Sequence, residues 1–487
     1  MAKITAIIDI GSNSARMALF EKSSRFAFHL IKEIKSRVRI SEGTYENGSL
    51  LQPIPMQRAV IALKEFAIIA KNHGATKIIC VATSAVRNAP NRHEFVHEVY
   101  KQTGISIKVI DGTEEANLGA ISAINLLPIK NAITIDIGGG STECALICDG
   151  KIVDLISLEL GTIRLKELFY DKKSSIDEAK RYILNEFKRL PNSYKSDLVV
   201  GIGGTIRAIS KTFMKNTLYP IDTVHGYEYE TSEYLPIIEQ ISESSVLKLK
   251  RFNIKEERYD TIREGALIFS MLIKEFNSKS VITSGAGVRE GRYLKDLLRN
   301  SNLKFPANFN PSVRVMIDKF IQNRTFNEYN SSVCGFLFDL LKAKHKLDDS
   351  FKRYLKISAM LSDIGSSLSF YNQHEHSKYF IINNLVYGFT HKERVLIATL
   401  IANHTKELPN TLNINPYTRL LPDIRVLRWL SFILGVSYYV NITNSNPKIE
   451  FKFSNDTLYI KSNEPMSLAK EQIKKLEKPE PMAIIFE

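Results

Sequence analysis

Ala6-Ile7-Ile8-Asp9-Ile10-Gly11-Ser12-Asn13-Ser14 returns further along the chain as Thr134-Ile135-Asp136-Ile137-Gly138-Gly139-Gly140-Ser141-Thr142. Each copy is an apolar, β-branched run closed by one Asp and a Gly/Ser turn. Each continues into a second apolar run, Met17-Ala18-Leu19-Phe20 and Cys144-Ala145-Leu146-Ile147. The pattern predicts two β-hairpins whose tight turns expose backbone N–H groups beside a carboxylate. Asp9 and Asp136 stand 127 residues apart, the length of one domain. Two similar domains facing each other would set these turns on opposite walls of a cleft.

Two more glycine turns follow strands. Leu198-Val199-Val200-Gly201-Ile202-Gly203-Gly204-Thr205 precedes a helical pattern over 206–211, and Ser280-Val281-Ile282-Thr283-Ser284-Gly285-Ala286-Gly287 precedes one over 288–298. A helix N-terminus behind such a turn can receive an anion. Helical periodicity over 56–72 and 91–101, with a short apolar strand over 77–82 between them, completes an α/β alternation. Phe305-Pro306-Ala307-Asn308-Phe309-Asn310-Pro311 breaks that texture. Beyond it the pattern is helical to about residue 442, then alternates as strands over 449–453 and 457–461. The domains expected are 1–124 and 125–303, similar to each other, and 304–487, helical with a small β appendage. The last helix of the second is expected to pack back on the first.

At 487 residues, a domain size of about 150 gives roughly three domains. Hydrophobic residues make up 44% and charged residues 24%, which excludes a disordered chain, a collagen and a disulfide mini-scaffold. Lys+Arg 66 against Asp+Glu 52 leaves +14, favouring a polyanionic partner: nucleic acid, anionic lipid, nucleotide or inorganic polyphosphate. Cys80, Cys144, Cys148 and Cys334 show no C-x-x-C pair or zinc spacing, so a reducing cytoplasm is expected. The apolar run after Met1-Ala2-Lys3 is too short for a signal peptide, and the run over 429–442 is too short to span a bilayer.

Five motifs then occur in order: Asp9-Ile10-Gly11-Ser12-Asn13-Ser14, Ala82-Thr83-Ser84-Ala85-Val86-Arg87, Gly112-Thr113-Glu114-Glu115-Ala116, Asp136-Ile137-Gly138-Gly139-Gly140-Ser141-Thr142-Glu143 and Gly161-Thr162-Ile163-Arg164-Leu165. Together they resemble the exopolyphosphatase/guanosine pentaphosphate phosphatase family, over roughly residues 5–295. The resemblance implies an α/β fold of two actin-like (ribonuclease H-like) domains flanking a cleft, followed by a mainly α domain resembling a degenerate HD-type phosphohydrolase. It implies removal of the terminal phosphate from inorganic polyphosphate, guanosine pentaphosphate or both, and a Mg²⁺ requirement. No membrane partner and no nucleic-acid requirement are expected, and a homodimer is one option for the assembly.

Such hydrolysis needs phosphate charge neutralised, a water aimed in line and a proton acceptor. Gly11, Ser12, Asn13 and Ser14, with Gly138, Gly139, Gly140 and Ser141, can supply N–H and hydroxyl donors, and Gly203, Gly204 and Thr205 a helix start. Asp9 and Asp136 can hold Mg²⁺ through water, or serve as Asx-turn acceptors. The resemblance marks Glu143 as catalytic, activating water or helping to hold Mg²⁺. Its place on a strand leaving the turn would let it face the cleft. Thr113 is a plausible N-cap, which puts Glu115 in a first helical turn, where acids are favoured for dipole reasons alone. The resemblance makes it the family's catalytic Glu. Arg87, Arg164, Arg207 and Arg289 can line a polyphosphate path or be surface charges and ion pairs.

In the C-terminal region, Ser362 precedes Asp363 where an HD metal site needs His. His374, His376, His391 and His404 are scattered, so no second metal site is expected there; the domain would extend the anion channel, dimerise or stabilise the others. Two alternatives to the hydrolase are a non-catalytic alarmone or polyphosphate sensor and an ATP-dependent kinase of the same superfamily.

Overall fold

The computed structural model describes residues 4–487 apart from 45, 46, 173, 406 and 413. Residues 1–3, which open the sequence, lie outside it. The chain divides into two compact units, Met1–Phe309 and Asn310–Glu487.

The first unit holds two sheets built the same way. In one, β1 (Ile4–Ile10), β2 (Ala15–Lys22) and β3 (Phe28–Ser36) form an antiparallel meander. β4 (Ala75–Ala82) and β5 (Ile107–Val109) extend it in parallel, in the order β3-β2-β1-β4-β5. In the other, β6 (Ala132–Ile137), β7 (Thr142–Cys148) and β8 (Lys151–Leu158) repeat the meander. β9 (Leu198–Ile202) and β11 (Ser280–Thr283) repeat the parallel extension, and β10 (Tyr227–Glu230) closes the far edge antiparallel to β11. The α/β class and paired-sheet architecture expected from the repeat are what the structure contains.

Strand alternation decides which side chains meet the cleft. On β6 and β7, Ile133, Ile135, Ile137, Cys144 and Leu146 face a core shared with the helices Gly203–Asn216 and Ile262–Glu275. The opposite parity carries Ala132, Ala145 and Ile147, which pack on Ala120 and Ala123 of the helix Gly112–Leu126. Asp136 and Glu143 have this second parity. They are therefore aimed at the side on which Glu115 begins its helix. In the first sheet, Ala6, Ile8 and Ile10 join Leu63 and Phe66 of the helix Pro53–Asn72. Burying each such large side chain contributes about 1.5–3 kcal/mol. Tyr293, on the helix Val288–Leu297, stacks on Phe20 with ring centroids 4.6 Å apart.

One local expectation is corrected. The helix carrying Glu115 is capped by Asp111, whose carboxylate accepts from the Glu114 amide at 2.7 Å, and not by Thr113. The carboxylate lies three residues before the amide it receives, the spacing an N-cap requires.

The second unit is helical. Its core joins Cys334, Leu337 and Phe338 of the helix Arg324–Leu340 to Trp429, Leu430 and Ile433 of the helix Ile424–Val440. The two expected C-terminal strands are β12 (Ile449–Ser454) and β13 (Thr457–Ser462). A third, β14 (Ala483–Phe486), pairs in parallel with β13. Among the described residues no helix is long and apolar enough to cross a membrane.

Candidate active site

The register of the two hairpins builds the site. Asp9 lies directly opposite Arg16 across β1 and β2, and Asp136 directly opposite Glu143 across β6 and β7. The turns have the same geometry: Gly11 N–H donates to Ser14 O at 3.1 Å, and Gly138 N–H to Ser141 O at 2.9 Å. Those two glycine amides are consumed by the hairpins. Among the described residues, no backbone acceptor takes the amides of Asn13, Ser14, Gly140 or Ser141. The turns touch: a Cβ on Gly139 would fall 2.7 Å from the Cβ of Ser12.

Around them lies a cleft of about 160 Å³. Every expected site residue lines it except three: Asp9, Gly11, Ser12, Asn13, Ser14, Glu115, Asp136, Gly138, Gly139, Gly140, Ser141, Gly203, Gly204, Thr205, Arg207 and Arg289 are all on its surface. Gly203 has φ +83°, and an added Cβ would sit 2.3 Å from Asp136 Oδ1. The turn that presents the helix 203–216 to the cleft therefore requires glycine there.

The three exceptions are Glu143, Arg87 and Arg164. Glu143 is only 2% exposed, and its Oε1 accepts from the Ser157 hydroxyl at 2.9 Å. It sits behind the cleft surface, contrary to the expectation that its carboxylate faces the cleft, because β7 delivers it beneath the helix 112–126. Arg87 lines a neighbouring cavity with Ser157 and Arg189. Its Nη1 donates to Glu115 Oε2 and to Ile110 O, both at 3.1 Å.

The other arginines are also engaged. Arg164 Nε donates to Gly140 O at 2.9 Å and so braces the second turn, and its guanidinium pairs with Glu159. Arg289 donates to Glu33 Oε1 at 2.7 Å. Arg207 donates to Ser284 O at 2.7 Å and Ala286 O at 3.1 Å while lining the cleft.

Burial dominates the electrostatics. It raises Glu115 well above the ordinary carboxylate range, with the Glu143 carboxylate adding to the effect and Arg87 opposing it. Glu143 is pushed up to about 7 by burial, against the hydrogen bond from Ser141. Asp136 is raised to about 6 by burial, with Arg207 opposing. Asp9 is raised for the same reason against Arg289, and its Oδ1 is buried with no hydrogen-bond partner among the described residues. Adjacent carboxylates of this kind share protons and titrate as a pair.

Sequence reading missed three cations on the cleft surface: Arg16, Lys35 and Arg258. Burial and the neighbouring guanidinium groups of Arg258 and Arg16 hold the Lys35 ammonium below its usual range. Burial likewise lowers Arg258, with Arg16 adding to it. A partial signal was present: Lys35, Arg37 and Arg39 alternate at period two, although only Lys35 lies on a strand, since β3 ends at Ser36.

In the second unit Ser362 is buried, its hydroxyl donating to Ala359 O at 3.2 Å. His374 and His404 meet edge to face with centroids 4.8 Å apart. His391 is buried at the start of its own helix, and His376 lies on the helix Gln373–Asn384. Among the described residues no group of three or more His, Cys, Asp or Glu is placed to hold a metal.

Residues 19–300 match the Ppx/GppA phosphatase family, and residues 323–472 match its domain III. The chain belongs to the Ppx/GppA phosphatase family. The phosphatase-family match over residues 19–300 falls within the first unit. Among solved structures the chain is similar to the Ppx/GppA family member of Aquifex aeolicus, at 26% identity and TM-score 0.53, over 62% of this chain and 99% of that one. It also shares its fold with an exopolyphosphatase from Cytophaga hutchinsonii, at 22% identity and TM-score 0.56, over 62% of this chain and 100% of that one.

Proposed function

We propose that this Ppx/GppA phosphatase removes the terminal phosphate of inorganic polyphosphate, guanosine pentaphosphate or both, by in-line attack of water, with Mg²⁺ bound. The observation that carries this reading is Glu115. It keeps 12% of its side chain open to the cleft, burial and Glu143 raise it well above the ordinary carboxylate range, and it is oriented by Arg87.

Glu115 takes a proton from water as the water oxygen bonds to the terminal phosphorus and the anhydride P–O bond breaks. The phosphate left on the shortened chain departs as the leaving group. Glu143 acts through Glu115: its charge keeps the neighbouring carboxylate basic enough to accept that proton. The amides of the two turns and Thr205 receive phosphate oxygens, and Arg16, Lys35 and Arg258 receive the rest of the anion. No phosphoenzyme is required.

The donors present fit Mg²⁺ rather than a cage metal. Magnesium is held by one or two carboxylates plus substrate phosphates and water. The unpartnered Oδ1 of Asp9 and the cleft-lining Asp136 supply those carboxylates. The ion would supply neutralisation of charge on the phosphate oxygens. Glu143, beneath the surface and bonded to Ser157, is the weaker candidate ligand.

The test is phosphate release by the purified protein with Mg²⁺, offering long-chain polyphosphate and guanosine pentaphosphate separately at matched terminal phosphate, with Glu115→Gln as control. Release from either substrate that disappears in the variant supports the reading. Binding of both without release would make the protein a sensor, and transfer to an organic acceptor would make it a kinase.

A further inference from the structure

The second unit contains a cavity of about 270 Å³ with an unusual combination of walls. Phe326, Phe370 and Tyr438 supply aromatic faces, Asn323 and Gln373 supply carboxamides, and Asp363 supplies a carboxylate. Phe370 is 76% exposed at its mouth, whereas Phe326 is buried. Among the described residues no Lys or Arg lines it. Among the described residues no hydrogen bond or ion pair reaches the Asp363 carboxylate, and burial alone, with no neighbouring charge, raises it to about 6. Asp363 is half-buried and lines the open cavity, so its two oxygens can accept from a donor that enters.

We propose that this cavity binds a planar nitrogen heterocycle that presents two adjacent N–H donors to Asp363, the guanine base being the type. A carboxylate is an acceptor with two oxygens and matches such a donor pair in plane. The aromatic rings stack on its faces, and the Asn323 carboxamide nitrogen, whose oxygen caps the helix Arg324–Leu340, can donate to a ring oxygen. A metal ion fits less well, since among the described residues no group of three or more His, Cys, Asp or Glu is placed to hold one. An organic ammonium would use the carboxylate but offers no flat face to the rings and no acceptor to the Asn323 amide. With no cation on the wall, the cavity reads the base and leaves phosphates in solvent. This site is separate from the catalytic cleft, and the proposal does not depend on the hydrolytic reading.

Calorimetric titration of the full chain with guanosine, adenosine and agmatine tests it, each alone and with excess tripolyphosphate to fill the cleft. Guanosine should bind, tripolyphosphate should leave that binding unchanged, and adenosine, which lacks the donor pair, should bind roughly tenfold or more weaker. Asp363→Asn should weaken guanosine by about tenfold or more with an unchanged melting temperature. Phe370→Ala, at an exposed position that does not threaten folding, should weaken guanosine and adenosine alike. The proposal fails if guanosine does not bind at millimolar concentration, if tripolyphosphate displaces it, if agmatine or adenosine binds as tightly, or if neither variant changes its affinity.

Discussion

Glu115 is the one carboxylate of its pair that meets the cleft surface, so chemistry and burial can be separated by changing it alone. Glu115→Gln keeps the shape and should lower turnover by about 10²–10⁴ with little change in KM. A steady-state rate within a few-fold of wild type would place the base elsewhere. The pH profile carries the same information. Both members of the pair ionise late, Glu143 near 7, so the rate should climb through neutrality instead of reaching its plateau in mild acid. Glu143→Gln removes the negative charge that raises Glu115. The residual rate of that variant should be lower, with its midpoint moved to lower pH; an unmoved midpoint would mean that the two carboxylates do not communicate. A different buried acid bears on stability. Glu264 is fully buried, its oxygens have no hydrogen-bond partner among the described residues, and burial raises it from 4.5 to about 7. The folded state therefore holds this proton more tightly than the unfolded chain does. Between those two values folding binds protons, so stability falls as pH rises through the interval and stays lower above it. Glu264→Gln should be relatively more stable than wild type at pH 8 than at pH 5, by roughly 1–3 kcal/mol, read from denaturant melts at both pH values. Equal differences at the two pH values would show that the group is already ionised without penalty.

At the scale of elements, the site depends on turns more than on the helices and strands they join. Gly203→Ala would force a left-handed residue with a side chain against Asp136 Oδ1. Turnover should fall at least about tenfold while the melting temperature drops by only a few degrees, since the strain is local. If the variant keeps full activity, the helix 203–216 does not help to position the phosphates. The turns were also the most legible part of the sequence. Apolar runs ending in Asp and Gly/Ser have few other physical readings, and their repetition in one chain fixed the two-sheet plan. What the sequence could not show was depth. Glu143 follows its turn by two residues, and whether it meets solvent depends on the helix 112–126, which is supplied from a separate stretch of chain. Arg16 was overlooked for a related reason: in a strand an isolated arginine looks like any exposed polar position. Only the register, which sets it opposite Asp9 as Glu143 is set opposite Asp136, gives it a place in the site. Asp111 was passed over as a cap because Thr113 is also a good capping residue, and the two differ only in where the helix begins.

For the whole molecule, the excess of 66 basic over 52 acidic residues should be felt before a substrate arrives. Attraction of a polyanion by exposed cations is screened over about 8–10 Å at ordinary ionic strength. Raising KCl from 50 to 300 mM should therefore raise KM for long polyphosphate severalfold while kcat changes little. A KM indifferent to salt would confine recognition to the buried groups of the cleft. The duplicated hairpins have a consequence of another kind. Arg16 and Glu143 occupy matching positions 127 residues apart, so two nearly identical frames carry opposite charges at the same point. Repetition of backbone without repetition of charge gives the cleft a direction. On the proposed reading, an anion in the cleft is drawn to Arg16, Lys35 and Arg258 and repelled by the paired glutamates. A phosphate chain, whose two ends are identical, would then offer either terminal unit to Glu115 while its remaining charge lies against the cations.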